Sequence, residues 1–515
     1  MLSSMRMPAP RRFVCLVAVL TTATIVLADS SAEPFAHGVA AGDLTATSVV
    51  LWTRTASPQP VTLRLDPGAI ERRGTTRADA DATIAVEIDG LTPDTAYRYR
   101  FVTDDGAAVE GRFRTPTTAD ADRAVAFVVG GDVGGQAFCR HRDKGYAIFR
   151  AAAAAGAAGA PPDFFIANGD MIYADGICPA EGPGGFPNVP GGFPSIADVD
   201  WTSDIVLDVF LDHWRYNRTD VHSRDFFSRV PVYVQWDDHE VINDFGAPWA
   251  RWPVAPEREG YGRMVELGRD ALFAWNPIRR HPDEPHRLYR SFRWGRHVEL
   301  FLLDARSYRS RNDVADEPGA GKTLLGDAQR RWLLDGLKAS DATWKIVSSD
   351  VPLSIPTGWP AERYGRDAFA TGEGDGFETR TGAERELRMI LETLDRENVE
   401  NVVVVATDVH FAAFLRYDLD LDGDGDHLLL HELVSGPMNA VAVAPKAPDP
   451  TFGPDVLYMG GRFFNIARVL IDEDGILRAE IVDEDGEPRF GSELILRPST
   501  SPRRPSSRTP SSRTS

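Results

Sequence analysis

Six short apolar segments of this chain each run into polar residues that can bind metal ions. The segments are residues 124–129, 164–167, 232–236, 300–303, 344–347 and 401–405. In the same order they lead into Asp132, Asn168-Gly169-Asp170, Asp237-Asp238-His239-Glu240, Asp304, Asp350 and Asp408-Val409-His410. Apolar runs of this kind are typical of strands buried on both faces, and layered α/β folds gather their chemistry at the carboxyl ends of such strands. A single aspartate after a strand is ordinary capping, but this repetition predicts a common functional edge.

The residues at these strand ends form a set that is rich in oxygen ligands. If the strands are neighbours, eight side chains converge, namely Asp132, Asp170, Tyr173, Asp238, His239, Asn243, Asp408 and His410. Carboxylates packed together repel one another and resist ionisation, and multivalent cations are the simplest remedy. Oxygen ligands with one or two imidazoles suit Fe(III), Mn, Ca or Mg better than a structural zinc site. A phenolate at Tyr173, three residues after Asp170, favours ferric iron.

The regions that flank these segments have β-like patterns. From residue 35 to 116, apolar and polar residues alternate over short stretches, which predicts a fibronectin-like or immunoglobulin-like β-sandwich. Residues suited to catalysis are sparse there, so we interpret this part as a packing module. A helical stretch is expected from Lys144 through the alanine-rich residues 151–160, and strand-like patterns return at 414–435 and 463–495.

The first 28 residues have the layout of a secretory signal. Basic residues precede an apolar run at 13–28, and small residues follow it. This run is shorter than the roughly 20 residues that span a bilayer, and a retained membrane anchor is the alternative interpretation. The pair Arg11-Arg12 points to the twin-arginine export route, which carries proteins already folded around a cofactor. We therefore expect a secreted or periplasmic protein without a transmembrane segment.

The charge balance argues against two classes of partner. The chain has 76 acidic and 56 basic residues and a formal net charge of −20. Nucleic-acid and anionic membrane surfaces need basic patches, so we expect neither as a general partner. Residues 498–515 consist of Pro, Ser, Thr and Arg alone, and we expect them to form a disordered tail because they cannot build a core.

Three sequence blocks contain most of the proposed ligands. They are Asn168-Gly-Asp-Met-Ile-Tyr173, Trp236-Asp-Asp-His-Glu-Val-Ile-Asn243 and Thr407-Asp-Val-His410. Together they resemble the signature blocks of the alkaline phosphatase D family, and the order of export signal, small sandwich and metallophosphatase domain is similar too. The resemblance covers residues 35 to 495 and implies an α/β fold of four α/β/β/α layers, as in metallophosphoesterases, preceded by a small all-β domain. The expected divisions are a signal peptide at 1–28, a β-sandwich at 34–117, a catalytic domain at 122–497 and the tail at 498–515.

The resemblance also implies a mixed site for Fe³⁺ and Ca²⁺, with Mn or Mg as further options. Asp170 would bridge two ions. One ion, expected to be ferric iron, would be held by Tyr173, His410 and Asp132. The other would be held by Asp408 together with Asp238 or Asn243. Relatives often carry a cysteine where Asp132 stands in this chain, so a harder anionic ligand replaces a thiolate here.

His239 is the candidate catalytic residue, because it can stabilise the transition state or protonate the leaving alkoxide. The alternative is a buried histidine that is bonded to a neighbouring carboxylate. Asp237 and Glu240 are expected to orient His239 or the metal ligands. The Gly-His block that broader metallophosphoesterases place on a later strand is absent, and Ser348-Ser349-Asp350 stands there instead. Asp350 is then an outer ligand or, as we favour, a turn residue.

Two further features concern the cysteines and an acidic segment. After removal of the signal only Cys139 and Cys178 remain, and each follows a proposed ligand by a few residues. We expect a disulfide between their loops, and two free thiols are the alternative. Residues 418–426 resemble the start of a calcium loop, but Leu429 stands where the loop needs a glutamate. An acidic hairpin turn is the favoured interpretation.

These features predict an exported phosphoesterase that hydrolyses phosphomonoesters, phosphodiesters or both by attack of a metal-activated water. The chain has no Gly-x-Ser-x-Gly motif and no P-loop, which disfavours serine hydrolase and kinase chemistry. Its partner would be a small phosphate ester. A phosphodiesterase of phospholipase D type and a non-catalytic envelope protein that keeps the fold are the alternatives. Preference among esters would depend on loops such as 176–200 and 354–380.

Overall fold

The computed structural model describes residues 33–358, 360–372 and 380–499. The predicted signal at 1–28 and all but the first two residues of the predicted tail lie outside these ranges. Within them, none of the helices combines the length and the apolar character that crossing a membrane requires.

The first seven strands belong to the predicted sandwich region. They are β1 (Val39–Gly42), β2 (Ser48–Arg54), β3 (Pro60–Asp66), β4 (Ile70–Thr75), β5 (Thr83–Asp89), β6 (Ala96–Thr103) and β7 (Ala108–Arg114). Strands β4, β3, β6 and β7 form one antiparallel sheet in that order. In β6 buried and exposed side chains mostly alternate, as expected for a strand with one face on a core. The all-β N-terminal part is therefore confirmed.

The remaining strands build two larger sheets. They are β8 (Val125–Gly130), β9 (Phe164–Asn168), β10 (Val232–Gln235), β11 (Arg290–Trp294), β12 (Val298–Leu302), β13 (Trp344–Ser348), β14 (Val402–Ala406), β15 (Ala412–Leu419), β16 (Leu428–Val434), β17 (Asp455–Gly460), β18 (Asn465–Ile471), β19 (Leu477–Asp483) and β20 (Leu494–Leu496). One sheet has the order β20-β19-β18-β8-β9-β10-β1-β2-β5 and the other β11-β12-β13-β14-β16-β15-β17. Strands β8 to β10 are parallel to one another, and so are β12 to β14. The six predicted apolar segments are these six strands.

Helices cover the outer faces of both large sheets. They are α1 (Ile148–Ala153), α2 (Val206–Arg218), α3 (Val221–Phe227), α4 (Tyr261–Trp275), α5 (Gly326–Ala339), α6 (Ala361–Tyr364) and α7 (Glu384–Arg396). Successive residues of a strand point to opposite faces. Phe164 accordingly packs between the two sheets with Leu300 and Ile346, whereas Phe165 packs against the helix side with Phe226. The outcome is the predicted α/β/β/α arrangement.

The helix expected from Lys144 to residue 160 is shorter than predicted, since α1 spans Ile148–Ala153. The alanine run favours a helix, but two features stop it. A side chain at Gly156 would lie 2.6 Å from the carbonyl oxygens of Ala160 and Pro161, so the chain turns back tightly there. The two prolines at 161 and 162 then prevent a continuation.

The sandwich region is joined to the rest of the fold through a shared sheet. β1 pairs with β10 at Gly42 and Val232, and β2 and β5 extend the nine-stranded sheet beyond it. A side chain at Gly42 would lie 2.8 Å from the carbonyl oxygen of Val232, so glycine permits this close pairing. The sheet therefore continues across the predicted limit between 117 and 122, and the division into domains there stays a prediction.

Candidate active site

The ends of strands from both large sheets meet at one place. Asp132 follows β8, Asp170 follows β9, Asp238 follows β10 and Asp408 follows β14. The structure brings ligand atoms within 4.8 Å of one another in three overlapping groups, which are Asp132–Asp170–His410, Asp170–Asp238–His239 and Asp237–Asp238–Asp408. These side chains are buried apart from Asp408, which is partly buried. The sheet edge thus concentrates the carboxylates and imidazoles that the sequence placed at separate strand ends.

Several of these residues adopt left-handed backbone conformations. The φ angles are 59° at Asp132, 52° at Asp170, 72° at Asp408 and 60° at His410. Residues other than glycine rarely occupy this region, and such strain concentrates at functional sites. Gly169 allows the sharp turn before Asp170, because a side chain there would lie 2.8 Å from the backbone nitrogen of Asp237. The turns therefore aim successive side chains at one point.

Glu240 ties the turns after β9 and β10 together. Its carboxylate accepts hydrogen bonds from the backbone N–H groups of Asp170 at 2.9 Å, Met171 at 2.6 Å and Asp237 at 2.8 Å. These N–H groups would otherwise be buried without partners, which is costly. Burial raises the pKa of Glu240 to about 7. Glu240 was expected to orient His239 or the metal ligands, and its hydrogen bonds hold the backbone of the turns that carry the proposed ligands, not the His239 side chain.

The carboxyl groups of the site are strongly perturbed by burial. Burial raises the pKa of Asp132 to about 8, and together with neighbouring carboxylates it raises the pKa values of Asp170 and Asp408 far above their ordinary value. Asp238 Oδ1 and Asp408 Oδ2 have no hydrogen-bond partner within the described ranges. Buried oxygen atoms of this kind need a proton or a cation. Their number and their spacing fit multivalent cations.

Tyr173 and His410 form one side of the site. The Tyr173 hydroxyl lies 3.0 Å from Nε2 of His410, and Nδ1 of His410 lies 2.7 Å from the carbonyl oxygen of Val441. A carbonyl only accepts, so Nδ1 carries the proton and the lone pair of Nε2 faces Tyr173 and Asp132. Burial lowers the pKa of His410 to about 4. A neutral imidazole with its second nitrogen fixed in this way is the form that binds metals.

His239 is held by a carboxylate that the sequence did not single out. Its Nδ1 lies 2.7 Å from Oδ1 of Asp175, and its ring stacks on Tyr173 with 4.1 Å between centroids. Burial alone would lower the pKa of His239, but Asp175 and the nearby Asp238 outweigh it and raise that pKa well above its ordinary value. Nε2 points toward Asp238, 3.8 Å from its Oδ1. Asp175 therefore fixes the ring of His239 and favours its protonated form, and the alternative interpretation, a buried histidine bonded to a neighbouring carboxylate, fits the same geometry.

Asp175 has a second contact that fixes its position. Its Oδ2 accepts a hydrogen bond of 2.9 Å from the backbone N–H of Asn243. Burial would raise the pKa of Asp175, but His239 outweighs this and the pKa lies below its ordinary value. Asn243, a proposed ligand, is half-buried; its backbone N–H donates to Asp175, and its carbonyl oxygen accepts a hydrogen bond from Trp252. The next residue, Asp244, offers an oxygen within 4.8 Å of Asp238 and Asp367.

Asp237 pairs with an arginine. Nε of the fully buried Arg306 donates to Oδ1 of Asp237 at 2.7 Å, and Arg306 Nη1 donates to Asp367 Oδ2 at 2.7 Å. Asp350 lies at 3.8 Å from the same guanidinium and accepts a 3.3 Å hydrogen bond from the backbone of Ala305. Asp237 and Asp350 thus support the turn after β12. Arg306 balances the negative charge on this side of the site.

A polar network lies beneath the carboxylates and joins the two sheets. Asn168 Nδ2 donates to Ser348 Oγ at 2.6 Å and to Gln235 Oε1 at 3.1 Å, while Thr407 Oγ1 donates to the carbonyl oxygen of Asn168 at 2.7 Å. These four residues come from β9, β10, β13 and the end of β14. A fully bonded network in a dry core fixes relative positions. The sheets are therefore locked in register directly below the site.

The structure joins Cys139 and Cys178 in a disulfide. It connects the loop after β8 to the loop after β9, and both sulfur-bearing side chains are buried. Of the acidic segment 418–426, the first two residues end β15 and the rest forms the connection of the β15–β16 hairpin, where Leu419 pairs with Leu428. That pairing agrees with the favoured hairpin interpretation.

The sequence of the chain is similar to those of known phosphatases. Residues 127–456 match the family described as PhoD-like phosphatase, and residues 21–117 match the N-terminal domain of PhoD-like phosphatases. Alkaline phosphatase D of Bacillus subtilis (strain 168) is 27% identical over 430 residues, which cover 76% of this chain and 67% of that protein.

Two solved structures are similar in fold. A structure of PhoD has a TM-score of 0.70 at 20% identity and covers 90% of this chain and 89% of its own. The purple acid phosphatase PPD1 from yellow lupin (Lupinus luteus) seeds has a TM-score of 0.54 at 14% identity, covering 89% of this chain and 73% of that one. Both fit the metallophosphoesterase-like fold described above. Because the PhoD-like phosphatase family matches more than half of the chain, the chain belongs to this family and is a hydrolase of phosphoric esters.

Proposed function

We propose that the chain is an exported, metal-dependent phosphoesterase that acts on phosphomonoesters, phosphodiesters or both. The observation that carries the metal dependence is the group of buried carboxylates within 4.8 Å of one another, with oxygens that lack hydrogen-bond partners among the described residues. Without cations, burial would keep much of this cluster protonated. Bound cations would supply the charge that acidifies a water nucleophile and neutralises the phosphoryl oxygens.

The proposed ligands divide into two sets that share Asp170. Asp132, Tyr173 and His410 would hold one ion with Asp170. Asp238 and Asp408 would hold the other, with Asn243 as a further candidate. The donor set is hard, which supports Fe³⁺ beside the phenol oxygen of Tyr173 and Ca²⁺ on the carboxylate side, with Mn or Mg as further options.

His239 is the proposed catalytic residue. It holds a proton at Nε2, because Asp175 engages Nδ1 and the surrounding carboxylates favour the imidazolium. It gives that proton to the alkoxide that leaves as the phosphorus–oxygen bond breaks. Glu240 keeps the turns of Asp170 and Asp238 in place during the reaction.

Location and domain organisation complete the proposal. The basic and apolar start of the chain supports export, by the twin-arginine route in particular, to the periplasm or the medium. Residues 34–117 would form the sandwich domain and 122–497 the catalytic domain. Detection of the processed protein outside the cytoplasm, and its loss there after Arg11→Lys with Arg12→Lys, would test the route.

Hydrolysis of p-nitrophenyl phosphate and of bis(p-nitrophenyl) phosphate by the purified protein tests the activity directly. We expect turnover of at least one of them, and the ratio of the two gives the preference between monoesters and diesters. Asp170→Asn should abolish turnover while the melting temperature stays close to that of the native protein. Unchanged turnover in this variant would contradict the bridging role of Asp170.

A further inference from the structure

Three phenylalanine rings form a cluster beside the candidate active site. Phe138, Phe186 and Phe464 contact one another edge to face, with centroid distances of 5.3 Å, 6.3 Å and 6.2 Å. Each ring is half-buried, so part of its apolar surface reaches solvent. We call these three residues the aromatic rim. The three residues lie in separate loops of the chain, and the fold brings them together.

Two links connect the aromatic rim to Asp132, one through hydrogen bonds and one that ends in a close approach of Gly436 to the Asp132 carboxylate. Nδ2 of Asn439 donates to the carbonyl oxygen of Phe138 at 2.6 Å, and the backbone N–H of Asn439 donates to the carbonyl oxygen of Asp132 at 2.9 Å. On the other side, Asn465, which follows Phe464, donates to the carbonyl oxygen of Gly436 at 2.6 Å. A side chain at Gly436 would lie 2.2 Å from Oδ2 of Asp132.

The loop that carries Phe138 also contacts Tyr173. A side chain at Gly135 would lie 2.3 Å from the end of the Tyr173 ring, and the backbone N–H of Phe138 donates to the carbonyl oxygen of Gly135 at 2.9 Å. Cys139, next to Phe138, is joined to Cys178. The rim is therefore built on the same turns that position the carboxylates, at the side of Asp132, Tyr173 and His410.

We propose that the aromatic rim binds the alcohol part of the ester, and that the enzyme prefers phosphate esters of aromatic, planar alcohols. This inference rests on the proposed function. The phosphoryl group belongs at the carboxylates, so the rest of the substrate must extend over the adjoining loops. Half-buried rings at that position leave aromatic surface for a flat leaving group to contact, and contacts of this kind favour aromatic over small polar groups.

The test compares two substrates in native protein and in the double variant Phe186→Leu with Phe464→Leu. For phenyl phosphate we expect kcat/KM to fall about 3- to 10-fold per ring, mainly through KM. For glycerol 3-phosphate we expect a change of less than about twofold, because it makes no ring contact. Leucine keeps the apolar volume, and Phe186→Tyr with Phe464→Tyr, which keeps the rings, should restore the preference.

Met389→Ala is the matched control, since Met389 is an exposed apolar side chain on α7, and it should leave both substrates unaffected. Equal losses of kcat/KM on both substrates, or no loss on either, in a folded double variant would overturn the proposal. The aromatic rim would then bind something else, such as a protein partner. If the native protein hydrolyses neither ester, the proposed function fails first. Calorimetry can then still test the aromatic rim by comparing the binding of phenylphosphonate and methylphosphonate. The proposal predicts that the phenyl compound binds more tightly and that the double variant loses this difference.

Discussion

Asp175 should control how well the enzyme expels poor leaving groups. Its carboxylate lies 2.7 Å from Nδ1 of His239, which is buried, and Asp175 itself is partly buried. A hydrogen bond between charged groups contributes about 1.5–3 kcal/mol. Asp175→Asn keeps the shape of the side chain but removes the charge, so the protonated form of His239 loses roughly that stabilisation. At about 1.4 kcal/mol for each factor of ten, the rate should fall roughly 10- to 150-fold.

The loss should depend on the leaving group. Glycerol 3-phosphate releases a basic alkoxide that needs a proton, so its kcat should show the full decrease. p-Nitrophenyl phosphate releases a stable phenolate, and its kcat should change far less. The assay is phosphate release from both esters, with Asp198→Asn as the control because Asp198 is an exposed aspartate of the same loop region. Equal kcat values for native protein and Asp175→Asn on glycerol 3-phosphate, at native melting temperature and metal content, would refute the proton-donor role of His239.

Three further predictions concern the framework around the site. Arg306→Met leaves the buried Asp237 without its arginine and the buried Asp367 with Arg309 alone, so the free energy of unfolding should fall by about 3–5 kcal/mol in denaturant titrations; a loss below about 1 kcal/mol would contradict the pairing. Peptide mapping without reductant should recover Cys139 linked to Cys178, and Cys139→Ala with Cys178→Ala should lower stability by about 2–4 kcal/mol; two free thiols would disprove the link. Burial disfavours the charged carboxylate of Glu432 and raises its pKa to about 7. The stability that the protonated carboxyl group contributes is therefore fully present below the ordinary pKa and is lost as pH rises through about 7. Glu432→Gln should therefore raise the melting temperature at pH about 8 but not at pH about 5, and equal shifts at both pH values would speak against this.

The fold could be predicted well because its main signals are local. Each apolar strand and the polar residue that ends it are adjacent in the sequence, and alternation marks the one-sided strands of the N-terminal sheet. The α1 helix was overestimated because helix propensity is a weak local signal, and the tight turn at Gly156 depends on a contact with Pro161. The joining of β1 to β10 was not predicted, since pairing between distant strands leaves no local pattern.

The residues missed at the site share one property. Asp175, Arg306 and Asp367 act through partners that are distant in sequence, and each alone reads as an ordinary charged loop residue. A signal for Asp175 was present, because it follows Tyr173 by two residues on the same turn. Arg306 lies two residues after Asp304 in the turn that follows β12, but a cation is not a metal ligand, so the pattern of oxygen ligands does not indicate it. Charge balance in a buried carboxylate cluster requires such a residue.

The metal dependence of hydrolysis is the most direct test of the account. The measurement pairs elemental analysis of the purified protein with turnover of p-nitrophenyl phosphate before and after exhaustive chelation. We expect multivalent cations bound in the native protein, loss of turnover when they are removed, and recovery when they are returned. Asp170→Asn should bind less metal under the same conditions. Full turnover by protein that elemental analysis finds free of multivalent cations would contradict the central claim.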